Sequence, residues 1–169
     1  MPDATGLELI AQEVREAHDG AVLDTTFFRE RAALHVAPAS VPDVLEHLRS
    51  KGYRFLASVH GVDYFPEEPR LGVHYELLDM AEVDRISVKT RVTLDDPHVP
   101  TVTLAWPTAN HQEREVYDMF GVIFDGHPDM RRILMPEDYE GYPQRRDFPL
   151  GGEPVLFTHN EPYVPGWWQ

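Results

Sequence analysis

The chain has 169 residues, with 15 Lys and Arg against 29 Asp and Glu, a formal net charge of −14 and no cysteine. That length holds one ordinary domain with an extension. The acidity argues against a broad basic face for nucleic acid, and the missing thiols exclude disulfides, thiolate zinc sites and cysteine-ligated iron–sulfur clusters within the chain. No apolar run approaches the ~18 residues of a membrane span. The start, MPDATGLELI, lacks the basic-then-apolar order of a signal peptide, so a cytosolic chain is expected, linked to any membrane through a partner.

Thr5 and Glu8 have capping-box spacing, and Leu7, Ile10, Ala11, Val14 and Ala17 recur on one helical face. The pattern predicts a helix over about residues 6–18, with Gly20 past its end. Residues 21–28 and 31–37 read as a β-hairpin turning near Arg29 and Glu30, its second strand alternating Ala32, Leu34 and Val36 with Arg31, Ala33 and His35. Ser40 and Asp43 mark another helix start, with Val41, Val44, Leu45 and Leu48 as its buried stripe and Gly52 as its stop. Residues 53–65 alternate with Tyr53, Phe55, Ala57 and Val59 on one face, and Leu71, Val73, Tyr75 and Leu77 repeat that period. A third run sets Ile86, Val88, Val92 and Leu94 against Arg85, Ser87, Lys89, Arg91 and Thr93, so one sheet face is wet.

This order predicts an α+β fold: a mostly antiparallel sheet with two helices on one face, followed by a short helix and a long extended C-terminal strap. The divisions are an α+β domain over 1–96, a connection and capped short helix over 97–120, and a partner-binding tail rich in Pro, Arg and aromatics over 121–169. In the short helix Asn110 is expected to cap with Glu113 reaching back, Arg114 to pair with Asp118 on the surface, and Gly121 to end the last turn. The strap carries seven of the fifteen prolines and shows neither helical nor strand periodicity. Its apolar side chains, including Ile133, Leu134, Tyr139, Tyr142, Phe148, Trp167 and Trp168, exceed what a solvated tail carries. It therefore folds back over the domain or docks on a neighbour.

No active site is legible. Glu113 and Glu115 point to different sides of a helix, and His35, His60 and His74 on strands and His127 at a turn match no metal-ligand spacing. There is no Gly-rich phosphate loop and no nucleophile elbow. The informative charges are Arg131, Arg132, Arg145 and Arg146, whose guanidinium forks suit a partner's carboxylates or carbonyls, or equally the nearby Asp129 and Asp147. With Tyr139, Tyr142 and Phe148 they form the candidate partner interface. A stand-alone enzyme using histidines and carboxylates on the wet sheet face is the competing class.

The run EREVYDMFGVIFDGHPDMRRIL, then EGYPQRRDFPL, closely resembles the signature of the 30-kDa (C) subunit of respiratory complex I, the bacterial proton-pumping NADH:quinone oxidoreductase. Glu113, Arg114, Glu115, Tyr117, Asp118, Phe120, Gly121, Gly126, His127, Pro128 and Asp129 fall on that pattern, as do Arg131, Arg132, Gly141, Pro143, Arg145, Asp147, Phe148 and Pro149. Tyr142, where a histidine is frequent, and Gln144 depart from it. The resemblance implies a subunit without catalytic, cofactor or metal residues of its own, with FMN, iron–sulfur clusters and quinone on partner subunits. It also implies a peripheral place on the cytoplasmic side of the cell membrane, against the 49-kDa (D) subunit and the hydrophilic-arm iron–sulfur subunits. An equivalent subunit of a ferredoxin- or deazaflavin-linked dehydrogenase, or of a membrane-bound hydrogenase, would look the same.

Overall fold

Asp3, and not Thr5, caps the first helix: its Oδ1 accepts the Gly6 N–H at 2.7 Å. The computed structural model describes residues 3–149, and the expectations for Trp167, Trp168 and the rest of 150–169 lie outside them. Helix α1 (Ala4–Ala17) leads into β1 (Val22–Phe28) and β2 (Arg31–Val36), then α2 (Val41–Ser50), β3 (Phe55–Asp63), β4 (Leu71–Asp79) and β5 (Asp84–Val92). Short β6 (His98–Pro100), helix α3 (Ala109–Phe120) and β7 (Ile123–Asp125) follow. The β1–β2 turn places both Arg29 (φ 50) and Glu30 (φ 63) in the left-handed region, the geometry that matches strand twist, without the glycine or asparagine usual there.

The architecture is α+β with a mostly antiparallel five-stranded sheet in the order β1-β2-β5-β4-β3. One pair is parallel: β2 lies beside β5 with Leu34 opposite Val88. One sheet face carries Leu34, Val36, Val73, Tyr75, Leu77, Ile86 and Val88, all buried, under Leu7, Ala11 and Val14 of α1 and Val41, Val44, Leu45 and Leu48 of α2. The same core continues past residue 96 through Val99, Val102, Trp106, Val116, Val122 and Phe124. In β3 a bulge between Leu56 and Ser58 interrupts the expected alternation, turning Leu56 inward and leaving Phe55 on the surface.

Helix α3 joins α1 and α2 on the covered face, against β3. Gly61 makes that approach possible, because a Cβ there would stand 2.3 Å from the Phe120 ring. Gln112 Oε1 accepts the Val59 N–H at 2.7 Å, tying the helix to the outer edge of β3. The parallel pair β6 and β7 flanks α3 in sequence, and Gly121 (φ 77) ends the helix with its N–H bonded to the Tyr117 carbonyl.

Candidate functional site

Helix α3 and the strap that follows it form the site. Asp118 is fully buried, and its carboxylate gathers four donors. Oδ2 accepts the backbone N–H groups of Ile133 (3.0 Å), Leu134 (2.7 Å) and Met135 (2.9 Å), while Oδ1 takes Nη1 of Arg132 at 2.7 Å. Three consecutive amides converging on one anion make a nest, filled here by the chain's own side chain. Burial works against the charge on Asp118, but these donors outweigh it and hold its pKa below the usual carboxylate range. Arg132 also donates to the Gly141 carbonyl at 2.9 Å and lies against the rings of Tyr139 and Tyr142. Arg114 donates to the carbonyls of Arg131 and Arg132, at 3.0 Å each, and does not pair with Asp118 as expected from spacing alone.

A second anchor lies at residues 144–147. Arg70 is buried and grips Asp63 with two bonds of 2.8 and 2.7 Å and Asp147 with two of 2.7 Å. Asp63 Oδ2 also accepts the Arg146 N–H at 2.7 Å, and the Arg146 side chain donates to the Phe65 carbonyl. The Arg70 hydrogen bonds hold Asp63 far below its ordinary value, and its two carboxylate partners hold Arg70 charged. Arg145 stacks over Tyr142 and donates to the Phe120 carbonyl at 2.7 Å, a cation on the exposed carbonyls of the α3 C-terminus. Gly121 leaves room for this packing: a Cβ there would stand 2.5 Å from Arg145 Nη2 and 2.6 Å from Tyr142.

Glu113 faces the other way from its expected role. It does not reach back to Asn110, which lies within the helix; it is fully buried and accepts the Val102 N–H at 2.9 Å and the Thr101 hydroxyl. Burial pushes its pKa up to about 7, against the pull of those two donors. His127 lies 3.9 Å away, its Nδ1 accepting the Asp129 N–H and its Nε2 bonded to the Asn110 carbonyl, which fixes the tautomer with the proton on Nε2.

A model of the respiratory-chain NADH dehydrogenase 30-kDa subunit matches residues 34–154. The chain belongs to that family. The C subunit of the NADH-quinone oxidoreductase of Roseiflexus castenholzii is 45% identical over 155 residues, 90% of this chain and 89% of that one. The solved trypsin-resistant fragment (1-134) of Nqo5 superposes with a TM-score of 0.62 at 33% identity, covering 73% of this chain and 98% of the fragment. A chain of the membrane-bound sulfane sulfur reductase, an archaeal respiratory membrane complex, superposes at 0.70 with 30% identity, covering 85% of each. The 30-kDa-family relatives are subunits of NADH-quinone oxidoreductase, so this chain has a subunit role in an NADH dehydrogenase-type complex. None of its described helices is long and apolar enough to cross a membrane.

The residues of the run that carries the resemblance thus acquire physical roles. Arg114 and Asp118 shape the loop at 129–135, Glu113 and His127 are buried beneath it, and Phe120 and Gly121 set the helix on β3 and end it. Glu115 is exposed. Of the candidate interface residues, Arg132, Arg145 and Arg146 bond to the chain itself, and Tyr139 stacks on Phe148. Arg131 pairs with Asp129 through two bonds and its side chain stays 62% exposed. Arg70, Asp63 and Glu113 were missed as organisers, although Glu113 stands three and seven residues before buried Val116 and Phe120 on one stripe. Residues Ile133 and Leu134, 38% and 60% exposed, are what the Asp118 nest turns outward.

Proposed function

We propose that the chain is a non-catalytic structural and assembly subunit in the hydrophilic arm of a proton-translocating NADH:quinone oxidoreductase. In this reading it docks on the 49-kDa (D) subunit and the arm's iron–sulfur subunits near the quinone site, on the cytoplasmic side of the membrane. FMN, iron–sulfur clusters and quinone belong to those partners. The observation that carries the reading is how the signature is used. Arg114, Asp118 and Arg132 bond the strap's backbone and stiffen a loop whose tip presents Ile133, Leu134 and Arg131 to the outside. A preformed apolar tip beside a guanidinium is the anchor type that dominates interface energetics.

The test is recovery of the other subunits with the affinity-tagged full chain. Ile133→Glu with Leu134→Glu is expected to lower that recovery roughly tenfold or more while the chain keeps its thermal unfolding midpoint. Wild-type recovery from this folded variant would remove the tip from the interface. The superposition on the sulfane sulfur reductase chain favours a second reading, an equivalent subunit in a complex with another donor or acceptor. The identities of the co-purified subunits separate the two.

A further inference from the structure

We infer that the open face of the five-stranded sheet is a second docking surface, built for an acidic protein segment of a neighbouring subunit. This rests on the proposed subunit role. The strand registers line up the open-face side chains in transverse rows. One row runs Asp24, His35, Lys89, His74, His60 across all five strands. Another begins at Phe28 opposite Arg31 on β1–β2 and ends at Arg85, Leu78 and Phe55 on β5, β4 and β3. Adjacent strands are ~4.8 Å apart, so Phe28 and Phe55 stand roughly 19 Å from each other, the width of the sheet. Both aromatics are exposed, at 68% and 53%.

Most of the cations on this face are left unmatched by the chain. Arg70, Arg91, Arg131, Arg132 and Lys51 each hold a carboxylate within 4 Å, and Arg114, Arg145 and Arg146 hold carbonyls. Among the described residues Arg31, Arg85 and Lys89 have neither and project from the open face; of the other cations only Arg29 and exposed Arg54 share that lack. Arg29, which lies over the Phe28 ring, stands at its rim. In a protein of net charge −14, this concentration of unpaired cations is a local inversion of sign. The surrounding groups preserve it. Thr26 bonds Nε2 of His35, and Tyr64 bonds Nε2 of His74. Burial, and next to it the Lys89 charge, lowers both imidazoles, His74 to about 3. Glu76, opposite Ser87 on the same face, accepts the Ser87 hydroxyl at 2.7 Å. Half-buried Lys89 therefore lies among imidazoles held neutral, and among the described residues no carboxylate comes within 4 Å of it; Asp24 and Glu76 are the carboxylates that share its face. A partner segment bearing Asp or Glu across its middle and apolar contacts at its ends complements the pattern.

The experiment uses the tagged full chain and reads which subunits co-purify. The wild type should bring them down, and Arg85→Glu with Lys89→Glu should lower recovery at least roughly tenfold, with an unchanged thermal unfolding midpoint. Arg85→Lys with Lys89→Arg should restore it. If the charge reversal destabilises the chain, Arg85→Gln with Lys89→Gln removes both charges and is expected to weaken recovery in the same direction. Recovery at the wild-type level from a folded charge-reversed or neutralised variant overturns the inference and leaves the proposed function standing. A wild-type chain that recovers no subunit overturns both. In a parallel arm the purified chain is floated with phosphatidylglycerol vesicles. Binding that depends on Arg85 and Lys89 would assign the face to anionic lipid and overturn the protein partner; no flotation supports it.

Discussion

Glu113 and Asp118 belong to the same helix and both are completely shielded from solvent, yet their pockets treat charge in opposite ways. Around Asp118 the strap supplies three amides and a guanidinium, and the carboxylate stays ionised below its ordinary range. Around Glu113 there are one amide and one hydroxyl, and the proton is retained to about pH 7. Burial alone therefore does not decide the state of an acid; the number and charge of the donors aimed at it do. One pocket depends on a charge to organise backbone, and the other tolerates a charge poorly.

The contrast is broken most severely by Asp118→Ala, which strands Arg132 and three amides. It is expected to cost about 3–5 kcal/mol, as loss of one partner of a buried ion pair does, and to open residues 129–149 to protease. Urea unfolding with limited proteolysis measures both, and a stable variant with a protected strap would mean that the nest is not the organiser. The Glu113 pocket is tested by pH. Because the folded value is raised from 4.5 to about 7, the folded chain keeps a proton that the unfolded chain releases. The stabilisation is complete below 4.5 and is lost as pH rises to about 7, worth about 3 kcal/mol at ~1.4 per unit. Glu113→Gln should remove this slope and be the more stable protein at pH 8; identical pH profiles for the two proteins would sink the assignment. The smallest effect separates the paired arginines. Arg131→Ala, losing an exposed pair with Asp129, should leave the unfolding midpoint nearly unmoved, whereas Arg132→Ala should lower it clearly. Equal shifts would make both of them clamps.

Much of the sheet was legible because its alternation is strict where one face is buried. Leu71, Val73, Tyr75 and Leu77 read as inward and are all at 0% exposure, as are the four stripe residues of α2. The hairpin at Arg29 and Glu30 was placed correctly despite its unusual turn residues. The bulge in β3 was invisible, since one extra residue in a strand leaves no periodic trace beyond a phase change. The site was harder for a different reason. Charged residues are read as surface by default, so Glu113, Asp118, Asp63 and Arg70 became legible only once their partners, distant in sequence, were in place. The identity of the family came through unspaced sequence likeness, while the roles of its residues did not.

The parallel seam between β2 and β5 also bears on how the fold is assembled. The β1–β2 hairpin closes locally, and so does the β3–β4–β5 meander. Joining the two brings Leu34 beside Val88 across the whole intervening stretch, so it carries the greatest loop-closure entropy in the sheet. During synthesis the hairpin emerges long before its neighbour and must keep an apolar edge unpaired until β5 has been made. The sheet that supports the strap thus consists of two locally connected parts joined by one long-range seam, the contact whose closure is expected to slow folding most.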